Sequence, residues 1–132
     1  MTVSDMYQEV ILDYYRTPKN RGKMTHPDAA AHDVNTSCGD EITIQLKLKN
    51  DKITEAVFDA KGCVISQAAA SMLLESILGK TLEEARRIEK KDVLDLLGID
   101  VSPMRLKCAL LGLKVLKMAV YQKMGEKIPD AK

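Results

Sequence analysis

Three cysteines are the residues of this sequence that are best suited to chemistry. Cys38 and Cys63 each have a glycine as a direct neighbour, and glycine lets the backbone approach a bound ligand without a Cβ clash. Cys63 and Cys108 each have a lysine within two residues, Lys61 and Lys107. A nearby ammonium favours the thiolate, the form of cysteine that attacks substrates and binds metals.

The cysteines alone leave three interpretations open. An odd number of cysteines argues against a disulfide framework, which leaves inert buried thiols, a catalytic thiol or metal ligands. Separations of 25 and 45 residues match no compact zinc motif, and no Cys-x-x-Cys occurs. Because a single cysteine is more often a buried structural residue than a ligand, the spacing by itself does not favour a metal site.

The elements that must position these cysteines follow from hydrophobic periodicity. Strands are predicted at about 31–36, 41–49 and 53–60, and helices at about 4–15 and 64–78, from Thr81, at 92–97 and from Ser102. Strands followed by helices predict an α+β fold, a small three-stranded antiparallel sheet with helices packed on one face. Thr81 and Ser102 are predicted helix N-caps.

The predicted elements place each cysteine where one element gives way to another or where a helix begins. Cys38 lies between the first two strands, and Cys63 lies between the last strand and the first long helix. Cys108 lies in the second turn of the last helix. The positive end of a helix dipole favours a thiolate at such a position.

Length and composition predict a single cytoplasmic domain over residues 1–132. The chain is 45% hydrophobic and 30% charged, and its net charge is +1, which provides no field to hold a nucleic acid. The apolar runs are too short to cross a bilayer, so we expect no membrane partner. The first residues show neither a basic head nor an apolar stretch, so no secretory signal is expected.

Four motifs, in order along the chain, resemble those of the IscU/SufU/NifU N-terminal family. They are YQEVILDYYRTPKNRG from Tyr7, NTSCGD from Asn35, GCVIS from Gly62 and RLKCA from Arg105. The resemblance runs from about residue 5 to residue 123 and includes all three cysteines. It implies an IscU-like fold and a scaffold protein, not an enzyme, that assembles iron–sulfur clusters.

The resemblance also implies ligands and partners. Members of the family receive sulfur from a cysteine desulfurase, combine it with iron and pass the cluster to apo iron–sulfur acceptor proteins. A [2Fe–2S] cluster normally takes four protein ligands, and this chain has three cysteines. We therefore expect Cys38, Cys63, Cys108 and Asp40 as the cofactor-binding and metal-binding residues. The alternative for Asp40 is that it only caps the turn at Gly39.

Lys107 departs from the pattern of IscU-type members, which carry histidine immediately before the last cysteine. Lysine at this position is instead a feature of SufU-type members, which bind zinc and accept sulfur from a desulfurase. The alternative function is therefore that of a zinc-bound sulfur acceptor, with Cys108 as the residue that takes the persulfide sulfur. The segment from Gly79 to Ser102 lacks the insertion typical of SufU-type members, which favours the scaffold.

Expectations about contacts are fewer. We expect the desulfurase to dock on the rim that contains the thiols, with Tyr7, Tyr14 and Tyr15 of the first helix contributing. His26 and His32 are the only histidines, and both are expected to face solvent. A cluster shared between two chains is chemically feasible, so a homodimer stays open.

Overall fold

The computed structural model of the chain describes residues 3–37 and 39–125, and it has the predicted α+β fold. The sequence of elements is α1 (Val3–Arg16), β1 (Ala29–Asn35), β2 (Asp40–Lys49), β3 (Lys52–Lys61), α2 (Val64–Ile77), α3 (Leu82–Arg86), α4 (Lys90–Leu97) and α5 (Pro103–Met124). None of the helices in the described ranges combines the length and apolar character that spanning a bilayer requires.

The three strands form an antiparallel sheet in the order β1-β2-β3. Apolar side chains alternate along β2, where Ile42, Ile44 and Leu46 are fully buried, as the period of two predicts. Asn35 at the end of β1 pairs with Asp40, and Lys61 at the end of β3 pairs with Glu41. The start of the central strand and the ends of both outer strands therefore meet at one edge of the sheet.

Helices α2 and α5 pack on the sheet and against each other. Their approach is close, because a Cβ on Gly112 of α5 would lie 3.2 Å from the Cα of Ala70 of α2. The core of these layers is aliphatic, with Phe58 as its one phenylalanine. Helix α1 packs on α2 and places Ile11 in the core. Helices α2 and α5 are thus held in place against the sheet and against each other.

The starts of α3 and α4 can be compared with the helix starts predicted from the sequence. Thr81 caps α3 with a full capping box, as predicted: its Oγ1 accepts from the Glu84 N–H, and the Glu84 carboxylate accepts from the Thr81 N–H. Helix α4 begins at Lys90, two residues before the predicted start. The reason is that Asp92 lies inside the first turn, where its carboxylate accepts the N–H of Glu89 at 2.8 Å.

The segment 20–22, predicted only as a loop, lies in parallel alongside β3. The Gly22 N–H donates to the Phe58 carbonyl at 2.9 Å, and the Phe58 N–H donates to the Asn20 carbonyl at 3.0 Å. We call residues 20–22 the strap. It pairs with backbone groups of an edge strand that would otherwise be exposed, close to the residues that precede Cys63.

Candidate metal centre

Asp40, Cys63 and Cys108 come together at the sheet edge described above. One ligand atom from each residue lies within 4.8 Å of the others. Asp40 is the first residue of β2, Cys63 is the N-cap of α2, and Cys108 is the sixth residue of α5. The convergence follows from topology, since the start of β2 and the end of β3 share an edge and α5 packs across β2.

Asp40 is completely buried, and its two oxygens face Cys63. Oδ1 accepts the Cys63 N–H at 2.8 Å, and Oδ2 lies 3.5 Å from the Cys63 sulfur. The first turn of α2 contains no acidic residue of its own. The carboxylate of Asp40, from β2, faces the positive end of that helix instead. A buried carboxylate is costly without such partners, and this one is held at the site by the fold.

Gly62 makes this approach feasible. Its φ is +127°, a conformation that side chains rarely adopt, and a Cβ there would lie 2.0 Å from Oδ1 of Asp40. Only glycine therefore lets β3 turn into α2 while the carboxylate contacts the turn. The glycine beside Cys63 was expected from the sequence to let the backbone approach a bound ligand. In the structure, Gly62 lets the backbone approach the Asp40 carboxylate.

The two thiols differ in exposure. Cys108 is 3% exposed, whereas Cys63 is half-buried. Access to the group of ligand atoms is therefore easier on the Cys63 side. Cys38, the remaining predicted ligand, lies outside the described residues. Asn35 and Asp40, on either side of it in the sequence, are paired at the edge of the sheet.

The donor set suits a thiophilic metal. Zinc and iron take thiolate sulfur at about 2.3 Å and carboxylate oxygen at about 2.0 to 2.2 Å, so sulfur atoms on one tetrahedral ion lie about 3.8 Å apart. Ligand atoms within 4.8 Å of one another need only small shifts to reach that geometry. Two sulfurs and one carboxylate also exclude a preference for magnesium or calcium, which take oxygen ligands.

The histidines and Lys107 take no part in this group. His32 is exposed on β1, and its Nε2 lies 2.8 Å from the Glu41 carboxylate. His26 is exposed before β1, and its carbonyl accepts from Lys47. Both histidines therefore lie on the surface, as predicted. Lys107 is exposed beside Cys108.

Two residues behind the site were not singled out by the sequence analysis. Arg21 of the strap donates to the side chain of Gln67, and Gln67 donates to the Gly62 carbonyl at 3.0 Å. The sequence carried a weak signal for each: Arg21 lies within a quoted motif, and Gln67 is a polar residue in a helix stretch that is otherwise mostly apolar. Their connection to Cys63 depends on tertiary contacts that no local pattern shows.

The protein is a small α+β protein with a three-stranded sheet. A carboxylate and two thiols at one edge of that sheet form its candidate metal centre. Comparison with known families agrees with this class. The sequence profile described as the NifU-like N terminal domain matches residues 6–128. The chain belongs to that family, as its motifs predicted.

Two relatives carry different functional names. The chain is 38% identical to the iron–sulfur cluster assembly scaffold protein IscU of Thermotoga maritima, over 91% of this chain and 96% of that protein. It is 34% identical to the zinc-dependent sulfurtransferase SufU of Bacillus subtilis, over 91% of this chain and 92% of that protein. The alignments span 136 and 138 positions, more than the part of this chain that they cover. Both relatives thus carry residues without a counterpart here, so chain length alone matches this protein to neither of them.

A solved structure shares the fold. It is a crystal structure from Fervidobacterium islandicum AW-1, assigned to iron–sulfur cluster assembly in the SUF system, with a TM-score of 0.74 and 31% identity. The match covers 90% of this chain and 99% of that chain. The predicted IscU-like architecture is therefore confirmed as a whole.

Proposed function

We propose that this chain is a single-domain scaffold on which [2Fe–2S] clusters are assembled from iron and desulfurase-derived sulfur and then transferred to apo-proteins. The observation that carries the proposal is the convergence of Asp40, Cys63 and Cys108 within 4.8 Å at one edge of the sheet. Family membership and the names of its relatives support it. The cluster is the cargo of this protein, which on this proposal carries out no catalysis.

The proposed ligands are Cys38, Cys63, Cys108 and Asp40. Three thiolates and one carboxylate hold iron unequally, because a carboxylate is a harder and weaker partner for iron in a cluster than a thiolate is. The iron on the Asp40 side is then the easier one to release. Such lability suits a protein that must give up its cluster.

The second candidate function is that of a zinc-bound sulfur acceptor, and Lys107 beside Cys108 is the observation that favours it. In this role, the Cys108 thiolate attacks the outer sulfur of the desulfurase persulfide, which leaves a persulfide on Cys108 and a thiolate on the desulfurase. Cys108 is 3% exposed, so this transfer requires the rim around it to open when the desulfurase docks. The similarity to a zinc-dependent sulfurtransferase also supports this alternative.

The test is anaerobic purification followed by metal and acid-labile sulfide analysis, before and after incubation with iron, cysteine and a cysteine desulfurase. The scaffold predicts stoichiometric iron and sulfide with visible charge-transfer bands. Tightly held zinc and no colour favour the sulfur acceptor, and a persulfide on Cys108 by mass spectrometry then identifies it. Cys63→Ser is the control, since it keeps the size of the side chain and removes a thiolate.

We place the docking surface for the desulfurase on the rim around the metal centre. Cysteines used as metal ligands at this rim also suit a reducing compartment, and we propose that the protein acts in the cytoplasm. The acceptors are apo iron–sulfur proteins, which need access to the same rim to receive the cluster. A homodimer that shares one cluster stays an alternative that the sulfide-to-chain ratio tests.

A further inference from the structure

We propose that Arg21 is a positioning residue of the metal centre: acting through Gln67, it fixes the peptide that presents Cys63 to the metal. This inference deepens the proposed function and rests on it. It concerns the strap, which lies behind the ligands and contributes none of them.

The strap holds the backbone of Arg21 in place on both sides. Its neighbours Asn20 and Gly22 are hydrogen-bonded to Phe58 of β3. The side chain of Asn20 also donates to the Ser71 carbonyl at 2.9 Å and accepts from the Ser71 hydroxyl at 2.7 Å. Since Ser71 is completely buried in α2, the Arg21 side chain starts from a fixed point between β3 and α2.

The guanidinium of Arg21 contacts both sides of the turn before Cys63. Nη2 donates to the Ala60 carbonyl at 2.6 Å, and Nη1 donates to Oε1 of Gln67 at 3.0 Å. Nε2 of Gln67 in turn donates to the Gly62 carbonyl at 3.0 Å. The planar fork of an arginine can make two such bonds in fixed directions, which a lysine cannot reproduce.

Arg21 also determines which way the Gln67 amide faces. An amide side chain offers an oxygen that accepts and a nitrogen that donates, whereas a guanidinium only donates. Arg21 can therefore bond only the oxygen of Gln67, and the nitrogen must face the other way, toward the Gly62 carbonyl. Gln67 is 7% exposed, so water has little room to replace either partner.

The last link is a single peptide group. The Gly62 carbonyl and the Cys63 N–H belong to the same planar unit. The carbonyl accepts from Gln67, and the N–H donates to Oδ1 of Asp40 at 2.8 Å. The plane before Cys63 is thus held at both ends, by Arg21 and Gln67 on one side and by a proposed ligand on the other. Its orientation sets the direction in which the Cys63 side chain leaves the backbone.

The ion pair of Arg21 with Asp59 does not account for its place. The Nη2–Oδ1 distance is 3.4 Å, and both side chains are about 40% exposed or more. Exposed pairs of this kind contribute little to stability. A variant of Asp59 therefore removes the ion pair while the bonds of Arg21 to Gln67 and to the Ala60 carbonyl remain.

The test measures the rate at which a chelator removes zinc from the purified full chain, at a temperature where every variant is folded. Arg21→Ala and Arg21→Lys are both expected to lose zinc about tenfold faster than the parent, the scale seen when residues that orient ligands are changed. Gln67→Met, which keeps the length of the side chain without its donor, is expected to do the same. Adding Arg21→Ala to Gln67→Met should add no further acceleration.

Controls separate positioning from general stability. Ser71→Ala removes the hydroxyl bond to Asn20 but keeps the bond of Asn20 to the Ser71 carbonyl and the backbone bonds of the strap to Phe58. These remaining bonds still hold Arg21, so the variant should lower the unfolding midpoint without changing zinc release. Asp59→Asn should change neither. Hydrogen exchange of the Cys63 amide, measured without metal, should be faster in the Arg21 and Gln67 variants and unchanged in both controls.

The two proposals fail in different ways. A parent protein that binds neither zinc nor iron overturns the proposed function. A parent that binds zinc but releases it within twofold of the Arg21 and Gln67 variants, with the Cys63 amide equally protected in all of them, overturns the positioning role alone. Zinc release as slow in Arg21→Lys as in the parent also overturns the positioning role. A positive charge would then be sufficient without the two directed bonds.

Discussion

The two oxygens of Asp40 have different surroundings. Oδ1 accepts a backbone N–H at the start of α2, whereas Oδ2 faces the Cys63 sulfur. Asp40 therefore orders a turn with one oxygen, and its other oxygen lies beside a proposed ligand. The turn is the one at Gly62 and Cys63, which follows β3, whereas the alternative in the sequence analysis was a cap of the turn at Gly39.

Asp40→Ala should still permit cluster assembly, because three cysteines remain, but it should slow transfer to an acceptor severalfold. The reason is the loss of the proposed carboxylate ligand, from which iron would be released most easily. Transfer rates are measured by circular dichroism as the cluster moves to an apo-ferredoxin. Asp40→Asn is the matched variant: it can still accept the Cys63 N–H and should keep parental stability while transferring slowly. Equal transfer rates for all three proteins would refute the role of Asp40.

Gly62 should tolerate no side chain, for a reason specific to the site. Gly62→Ala combines a positive φ with a Cβ 2.0 Å from Asp40, whereas Gly79→Ala has a positive φ of +85° and no atom within 4 Å of the added Cβ. Gly79→Ala should cost about 1 to 2 kcal/mol of unfolding free energy from backbone strain alone. Gly62→Ala should cost more and also weaken zinc binding, measured by urea unfolding and competitive titration. Parental zinc affinity in Gly62→Ala would contradict this account.

Among the elements, α1 bears on the predicted docking surface for the desulfurase, because its tyrosines were expected to contribute to that surface. The Tyr14 hydroxyl donates to Glu75, and the Tyr7 ring lies against Gly98. Glu75 is twelve residues after Cys63 in the chain, and a helix rises about 1.5 Å per residue, so about 18 Å separates them along α2. Tyr14 therefore lies away from the thiol rim, and only a broad interface reaches both.

Tyr15 tests that broad interface better than deletion of the helix, because deletion would also expose the core around Ile11. Tyr15 is 37% exposed, and Tyr15→Ala should weaken desulfurase binding if the interface extends along α2. Met118→Ala, a similarly exposed apolar residue of α5, is the control, and isothermal titration measures both. Affinity unchanged in Tyr15→Ala would restrict the interface to the rim.

The pairing of β1 with α5 includes a charged contact near the site. Lys114 donates to Asp33 at 2.7 Å, and this bond, with a backbone N–H, lowers the pKa of Asp33. A lowered pKa means that the folded state favours the carboxylate, so the contact stabilises at neutral pH. The stabilisation is lost as the pH falls below the ordinary value of about 3.9 and through the lower folded value.

Lys114→Met should therefore cost about 0.5 kcal/mol of unfolding free energy at pH 7, since the lysine is largely exposed. The difference from the parent should shrink toward zero as the pH falls through that range. Denaturant unfolding at a series of pH values measures it. Lys117→Met removes a lysine from the same helix and leaves the pair intact, so its difference should not follow this pH dependence. A Lys114→Met difference that stays constant into acid would contradict the assignment.

For the whole molecule, the sequence predicted more of the fold than of the site. Alternation in β2 and the cap at Thr81 are local signals, and both predict the observed structure. The strap and the Arg21–Gln67 contact depend on segments 46 residues apart, which periodicity cannot join. The nomination of Asp40 came from the family resemblance, and only the folded sheet shows that it is buried beside Cys63.

A metal held at this site would connect three parts of the molecule, because its proposed ligands lie at the start of β2, at the N-terminus of α2 and on α5. Binding to the folded state alone stabilises it by mass action. Zinc at 100 times its dissociation constant should therefore add about 2.7 kcal/mol to the unfolding free energy, measured by thermal unfolding, and a chelator should reverse the shift. Magnesium, which prefers oxygen ligands, should give none.

Serine variants then determine which thiols hold the metal. Cys63→Ser and Cys108→Ser should lose most of the zinc-dependent shift, because each removes a thiolate from the group within 4.8 Å. Cys38→Ser extends the test to the proposed ligand that rests on the family resemblance alone, and we expect the same loss. A zinc shift of parental size in Cys38→Ser would leave a centre of Asp40, Cys63 and Cys108. A parental shift in Cys63→Ser would place the metal elsewhere on the molecule.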